Sequence, residues 1–204
     1  MEITYQYSDL EKRKVKENIE KNFGKISELI LLTKEQRIVP IYYNLVLIKK
    51  KTHQILMTFG LGSFISHNED HQNSERSEIY FELPLDWHFS TTSDQWAIQY
   101  IINIVKLSYE RHHMLSWYQV FTCVNPITNT DKIGVFLDVP SYGDCSVKVD
   151  VGQSFNISYY VIILITDREV DYIKRFGLKG INELSKIFDR PMNRLTEINR
   201  KSFI

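Results

Sequence analysis

The side chains with the most chemical reach sit in one short polar stretch, His67-Asn68-Glu69-Asp70-His71. Two histidines at i and i+4 on a helix would face one way and chelate zinc. A zinc-protease arrangement needs a glutamate directly after the first histidine, on a rigid buried helix. Here the acid is displaced, and the surrounding Ser63 to Ser77, rich in Ser, Asn, His and acid, reads as a surface loop. His112-His113 is adjacent rather than spaced for chelation and follows Arg111 as a helix end. Gly60-Leu61-Gly62-Ser63 is superficially a phosphate loop, because glycines expose backbone N–H groups to anions. No Lys-Ser or Lys-Thr pair closes it and no third glycine follows, so a strand-ending turn is expected. Ser63 lacks the Gly-x-Ser-x-Gly elbow that exposes a nucleophile. Cys123, flanked by Phe121 and Val124, reads as a packing thiol; Cys145 lies 22 residues on, and neither forms a Cys-x-x-Cys unit. The acids of Glu75-Arg76-Ser77-Glu78 and Glu82 have the residue types of an acid–base pair, but strand carboxylates beside an arginine are ordinarily solvated or salt-bridged. Residue types and spacing therefore imply no catalytic, metal or cofactor site, and the expectation is a protein that is not an enzyme.

Composition narrows the class further. The chain has 204 residues, 43% hydrophobic and 25% charged, with only 8 Gly and 5 Pro, which excludes disordered, collagen-like and coiled-coil chains. Lys+Arg and Asp+Glu both number 25, so no cationic surplus exists for sequence-blind binding to nucleic acid or anionic membranes. The longest apolar run, Tyr159 to Ile165, is seven residues, against the roughly 20 that a membrane-spanning helix needs. The first residues, Met1 to Gln6, lack the basic region and apolar stretch of an export signal, so the chain reads as cytoplasmic with free thiols.

The elements that would position any site follow from periodicity and capping. Ser8 and Glu11 form a capping-box pattern; Val15, Ile19 and Phe23 recur on one face, and Gly24 ends the run, predicting a helix over 9–23. From Ile26 to Leu83 the period is two, predicting strands near 26–32, 38–49, 53–60 and 77–83, with Lys49-Lys50-Lys51-Thr52 as a hairpin turn. In the last of these Ile79, Phe81 and Leu83 face the core while Glu78, Tyr80 and Glu82 face solvent. Thr92 and Gln95 offer a second capping box before a helix over 94–110, and strands over 117–124, 133–139 and 146–151 follow. Ile157 to Ile165 is apolar or aromatic except at Ser158 and predicts a central strand covered on both faces. Thr166 and Glu169 cap a helix that Gly177 stops; a short helix carrying Leu178, Ile181, Leu184, Ile187 and Phe188 comes next. The tail over 191–204 is open between helix and loose end. With no linker or repeat, the reading is one α+β domain over 1–204, core about 9–190: a mixed, mostly antiparallel sheet with helices packed against it.

Three stretches then stand out together: Leu56-Met57-Thr58-Phe59-Gly60, Glu75-Arg76-Ser77-Glu78-Ile79-Tyr80-Phe81-Glu82-Leu83-Pro84-Leu85-Asp86-Trp87, and Ile165-Thr166-Asp167-Arg168-Glu169-Val170-Asp171-Tyr172. The chain resembles the suppressor-of-fused domain family. There a strand ending in Thr-x-Gly precedes a polar loop, an Arg-(x)-Glu-led strand runs into Leu-Pro-x-Asp-Trp, and a late apolar strand enters an acidic helix start. The likeness spans about 20 to 190; Leu61-Gly62-Ser63 departs from the family's Met and Ser after the glycine. The resemblance implies a binding protein rather than a catalyst. It is similar to the stand-alone bacterial members, immunity proteins that neutralise a toxin encoded nearby by direct binding. The alternative is an adaptor that sequesters a regulatory protein by β-strand addition. Clustered carboxylates suit a basic toxin surface, which makes Glu69, Asp70, Glu75, Glu78 and Glu82, with the aromatic Tyr80, the expected partner contacts. Thr58, Gly60, Arg76, Pro84 and Trp87 are expected to mark the family by shaping the fold, with Trp87 in the core. No cofactor, nucleic acid or membrane partner is implied.

Overall fold

Alternation of apolar side chains over consecutive strands builds one mixed sheet whose two faces are both covered. A computed structural model describes residues 5–38, 40–64, 76–89, 95–111, 115–122, 131–140, 146–151, 153–189, 194–196 and 200–204. The strands are β1 (Ile26–Ile30), β2 (Asn44–Lys49), β3 (Gln54–Phe59), β4 (Arg76–Leu83), β5 (Val120–Thr122), β6 (Lys132–Asp138), β7 (Ser146–Val151) and β8 (Gln153–Thr166). The helices are α1 (Asp9–Asn22), α2 (Trp96–Glu110), α3 (Asp167–Phe176) and α4 (Leu178–Phe188).

The sheet runs β1-β2-β3-β4-β8-β6-β5. β1 to β4 are antiparallel neighbours, with the expected hairpin between β2 and β3 (Asn44↔Phe59 to Lys49↔Gln54). β4 then pairs in parallel with β8, from Arg76↔Ile157 to Tyr80↔Val161. The long β8 holds β7 and then β6 along its other edge, both antiparallel. This is the α+β architecture and mixed, mostly antiparallel sheet that periodicity implied.

On one face α2 packs Ile98, Ile101 and Val105 against Leu45, Leu56, Phe81 and Leu164. On the other, Val15, Ile19 and Phe23 of α1, Val170 of α3, and Leu184 and Phe188 of α4 cover Val46, Met57, Tyr80, Tyr159 and Ile163. Glu78, Tyr80 and Glu82 therefore do not face solvent: β4 is buried along its length after Arg76. The alternating acids read as a wet face, but α1 and its neighbours close over it. Tyr80 lies against Phe23 at 5.3 Å.

The capping boxes at Ser8–Glu11 and Thr166–Glu169 are both formed. At α2 the helix starts at Trp96 and Gln95 makes no side-chain cap; Thr92 lies outside the described residues. The second strand is shorter than its apolar run because Pro40 lacks an N–H for the ladder, leaving Ile38 and Ile41 in isolated bridges.

The described parts of the tail are non-helical and anchored. Arg200 donates to both oxygens of the buried Glu169, at 2.8 and 2.7 Å, and to the Leu164 carbonyl, while the Phe203 N–H donates to Glu169 at 3.0 Å. Its guanidinium lies 4.8 Å from the ring centres of Phe188 and Phe203. Burial works against the Glu169 carboxylate, but the Arg200 and backbone bonds outweigh it and hold its pKa below the usual range. Removing the guanidinium leaves that buried carboxylate without its cation, so Arg200→Ala lowers unfolding free energy by about 3–5 kcal/mol in urea denaturation; a change under about 1 kcal/mol contradicts this anchoring.

Candidate functional site

Thr58 and Gly60 at the end of β3 and Glu78 on β4 converge on one point under the start of α1. β3 ends at Phe59 beside β4, and a left-handed turn at Gly60 (φ +117°) starts a short 3₁₀ segment over Leu61–Ser63. That turn aims the backbone N–H groups of Gly60 and Gly62 at the Glu78 Oε1 oxygen, at 3.0 and 3.2 Å. The Tyr7 hydroxyl donates to the same oxygen at 2.8 Å, and the Thr58 hydroxyl donates to Oε2 at 2.5 Å while accepting from the Ile79 N–H. The glycine loop is thus a turn, as expected, and its N–H groups do cradle an anion: the protein's own carboxylate.

Sterics require both glycines. A Cβ on Gly60 would lie 2.8 Å from the Tyr42 carbonyl oxygen, and one on Gly62 would lie 2.3 Å from the Tyr7 hydroxyl.

Glu78 is fully buried and has no cation among its hydrogen-bond donors. Desolvation pushes its pKa up to about 7, against the lowering effect of its four donors. Burial and the adjacent Glu78 push the Tyr7 phenol well up. Arg76, the other family-motif charge, reaches Glu11 of α1 instead, at 3.1 Å. The Glu11 carboxyl sits below its usual pKa: burial opposes this, and the bonds from Ser8 and Arg76 overcome it.

The floor made by Tyr7 and Gly60 belongs to a cleft of about 330 Å³, also lined by Lys12, Arg37, Tyr42, Tyr43 and Phe59. Pro84 and Trp87 lie at the far end of β4. The buried Gln54 of β3 directs its amide nitrogen to the carbonyls of Pro84, Leu85 and Trp87 at 3.0, 2.8 and 2.7 Å, fixing the turn that sets Trp87 into the core. The Glu82 carbonyl accepts from the Thr196 N–H of the tail at 2.8 Å.

Of the six expected partner contacts, Glu78, Tyr80 and Glu82 are buried, which removes them from any exposed contact surface in this fold. Glu69, Asp70 and Glu75 lie outside the described residues, as do His67, His71, His112, His113, Cys123 and Cys145. Among the described residues no group of three or more His, Cys, Asp or Glu side chains is placed to hold a metal ion.

Sequence reasoning missed a second polar centre. Asp138, at the end of β6, accepts from the Trp117 indole at 2.8 Å, the Val139 N–H at 2.8 Å and the Ser185 hydroxyl at 2.7 Å, with Arg194 at 3.4 Å. An acid closing an otherwise apolar strand was its one visible sign.

A family model described as Suppressor of fused protein (SUFU) matches residues 37–201. The chain belongs to this family. The SUFU match starts after α1 and β1, yet Tyr7 and Glu11 from before it bond to Glu78 and Arg76 inside it. The chain is similar to the uncharacterized protein UU111 of Ureaplasma parvum serovar 3, 41% identical over 202 residues, covering 99% of this chain and 100% of that protein. Among solved structures it resembles one titled the Sufu-Fu complex crystal structure, with a TM-score of 0.64 at 11% identity over 98% of this chain and 92% of that one. It also resembles Drosophila Suppressor of Fused, with a TM-score of 0.56 at 12% identity over 78% of this chain and 42% of that one. At such identities these two establish a shared SUFU fold.

Because protonated Glu78 is favoured in the folded state, its contribution to stability is complete below about pH 4.5 and is lost as pH rises through about 7. The expected loss is on the order of 3 kcal/mol. Glu78→Gln flattens this part of the pH profile while lowering stability overall, because one amide oxygen cannot serve four donors. Urea denaturation across pH 5 to 7.5 checks this; parallel wild-type and variant profiles contradict it.

Proposed function

We propose that this chain is an immunity protein that neutralises a cognate toxin, encoded nearby, by direct protein–protein contact in the cytoplasm. Support comes first from membership in a family of protein-binding regulators; a structure of similar fold is described by its title as a complex of Sufu with Fu. The observation that carries the reading is how the family-motif residues are engaged. Thr58 and Gly60 bond to Glu78, and Arg76 bonds to Glu11, so they hold the scaffold's shape and leave recognition to other groups. Glu69, Asp70 and Glu75 remain the proposed contacts for a basic toxin surface, where clustered carboxylates steer association and select the partner. No chemical step is assigned to the chain.

A second reading, the adaptor that binds by strand addition, draws on β1. Among the described residues β1 has a neighbour on one side only, and Leu29 and the adjoining Leu31 are more than half exposed. An unpaired edge with exposed apolar side chains is what an extended segment requires.

Co-expression with the product of the adjacent gene separates the two. The immunity reading expects rescue of growth, a complex with the folded toxin, and loss of about tenfold or more in affinity on charge reversal at Glu69, Asp70 and Glu75 together. Failure to rescue refutes that reading. Unchanged affinity after charge reversal refutes the proposed contact surface, and binding of a short extended peptide as tight as that of its parent protein favours the adaptor.

A further inference from the structure

The cleft above Tyr7 and Gly60 is unusual in what it contains and what it lacks. Its volume, about 330 Å³, lies at the lower end of small-molecule sites, roughly 300–1,000 Å³. Three aromatic rings line it, from Tyr7, Tyr42 and Phe59, together with the cations Lys12 and Arg37, and among the described residues no aspartate or glutamate.

Arg37 is held but not neutralised. Its guanidinium lies 5.8 Å from the centre of the Tyr42 ring, and its Nη2 makes a long bond of 3.4 Å to the Asn44 side-chain oxygen. Its Nε is buried with no acceptor, and among the described residues no carboxylate is paired with it. Among the described residues the Lys12 ammonium, half exposed, pairs with Asp9 alone, at 3.5 Å, and that aspartate is almost fully in water, a weak pairing that an incoming anion can displace. The buried Glu78 is engaged by four donors, one of them the Tyr7 hydroxyl.

Buried donors without acceptors are rare in folded proteins because leaving them unmet is unfavourable. Here one of them, the Arg37 Nε, belongs to a side chain that lines a cavity together with a second cation and three rings. The geometry points to this cleft as a binding site for a free small organic acid: a carboxylate taken by Arg37 and Lys12, on an aromatic or similarly flat apolar body packed among Tyr42, Phe59 and Leu29. Arginine suits the role because its planar fork meets a carboxylate with two parallel bonds, and a ring stacked beneath it fixes the fork's plane. The proposal does not depend on the toxin reading above.

The test titrates the full chain, isotope-labelled for amide NMR, with phenylbutyrate, its neutral amide phenylbutyramide, and N-acetylglutamate N-methylamide as a stand-in for a partner's acidic side chain. Phenylbutyrate is expected to shift the amides of Tyr42, Tyr43, Asn44 and Gly60 saturably, with phenylbutyramide about tenfold weaker or worse. Arg37→Gln should remove most of that preference. Lys12→Gln, on the exposed start of α1, gives a smaller loss and keeps the test decisive should the Arg37 variant fold poorly. No saturable shift, or equal affinity for acid and amide, overturns the proposal. Equal affinity for the glutamate derivative and phenylbutyrate overturns it too, assigning the cleft to a partner's acidic side chain.

Discussion

A carboxylate without a cation, fully enclosed, is the constraint around which this fold is arranged. Glu78 is closed off from bulk solvent, and four dipoles of the chain stabilise it: two backbone N–H groups, a tyrosine and a threonine. They arrive from two separate segments, namely the residues before α1 and the β3 end with the turn that follows it. Satisfying one side chain on β4 therefore fixes the relative placement of all three. The glycines at 60 and 62 are needed for the same reason, since a side chain at either would push a donor or its neighbour away. What reads as a family signature is, in physical terms, an internal solvation shell.

Two other buried acids use a different solution. Glu169 in the first turn of α3 and Asp138 at the end of β6 are each met by an arginine from the tail, Arg200 and Arg194 respectively. Glu169, with its cation, is held charged and its pKa is lowered; Glu78, without one, is pushed toward neutrality. The same residue type is thus tuned in opposite directions by whether a guanidinium or a set of neutral dipoles faces it.

Local rules were enough to read most of the elements. Two capping boxes, the β2–β3 hairpin and the glycine stop after α3 depend on contacts within a few residues, and the unbroken apolar run of β8 marks a strand covered on both faces; each is where its pattern placed it. The misread face of β4 depends on contacts across the chain. Glu78, Tyr80 and Glu82 at alternate positions carry the pattern of a wet face, and burial of Glu78 rests on four donors from other elements, one of them Tyr7 from 71 residues away. Gln54, Asp138 and Arg200 were silent for the same reason, because their partners lie on other elements. Family resemblance identified Thr58, Gly60 and Arg76 but not what they touch.

The parallel pairing of β4 with β8 has a consequence for how the chain is made. A ribosome delivers β4 about eighty positions before the strand that will lie against it, so the first four strands emerge with one long, apolar border uncovered. Such a border invites mispairing with neighbouring nascent chains. Closure of a loop that long is slow compared with hairpin formation. Biogenesis is thus the stage at which this protein is most exposed to aggregation, and the most apolar strand, the last to be translated, is the one that ends it.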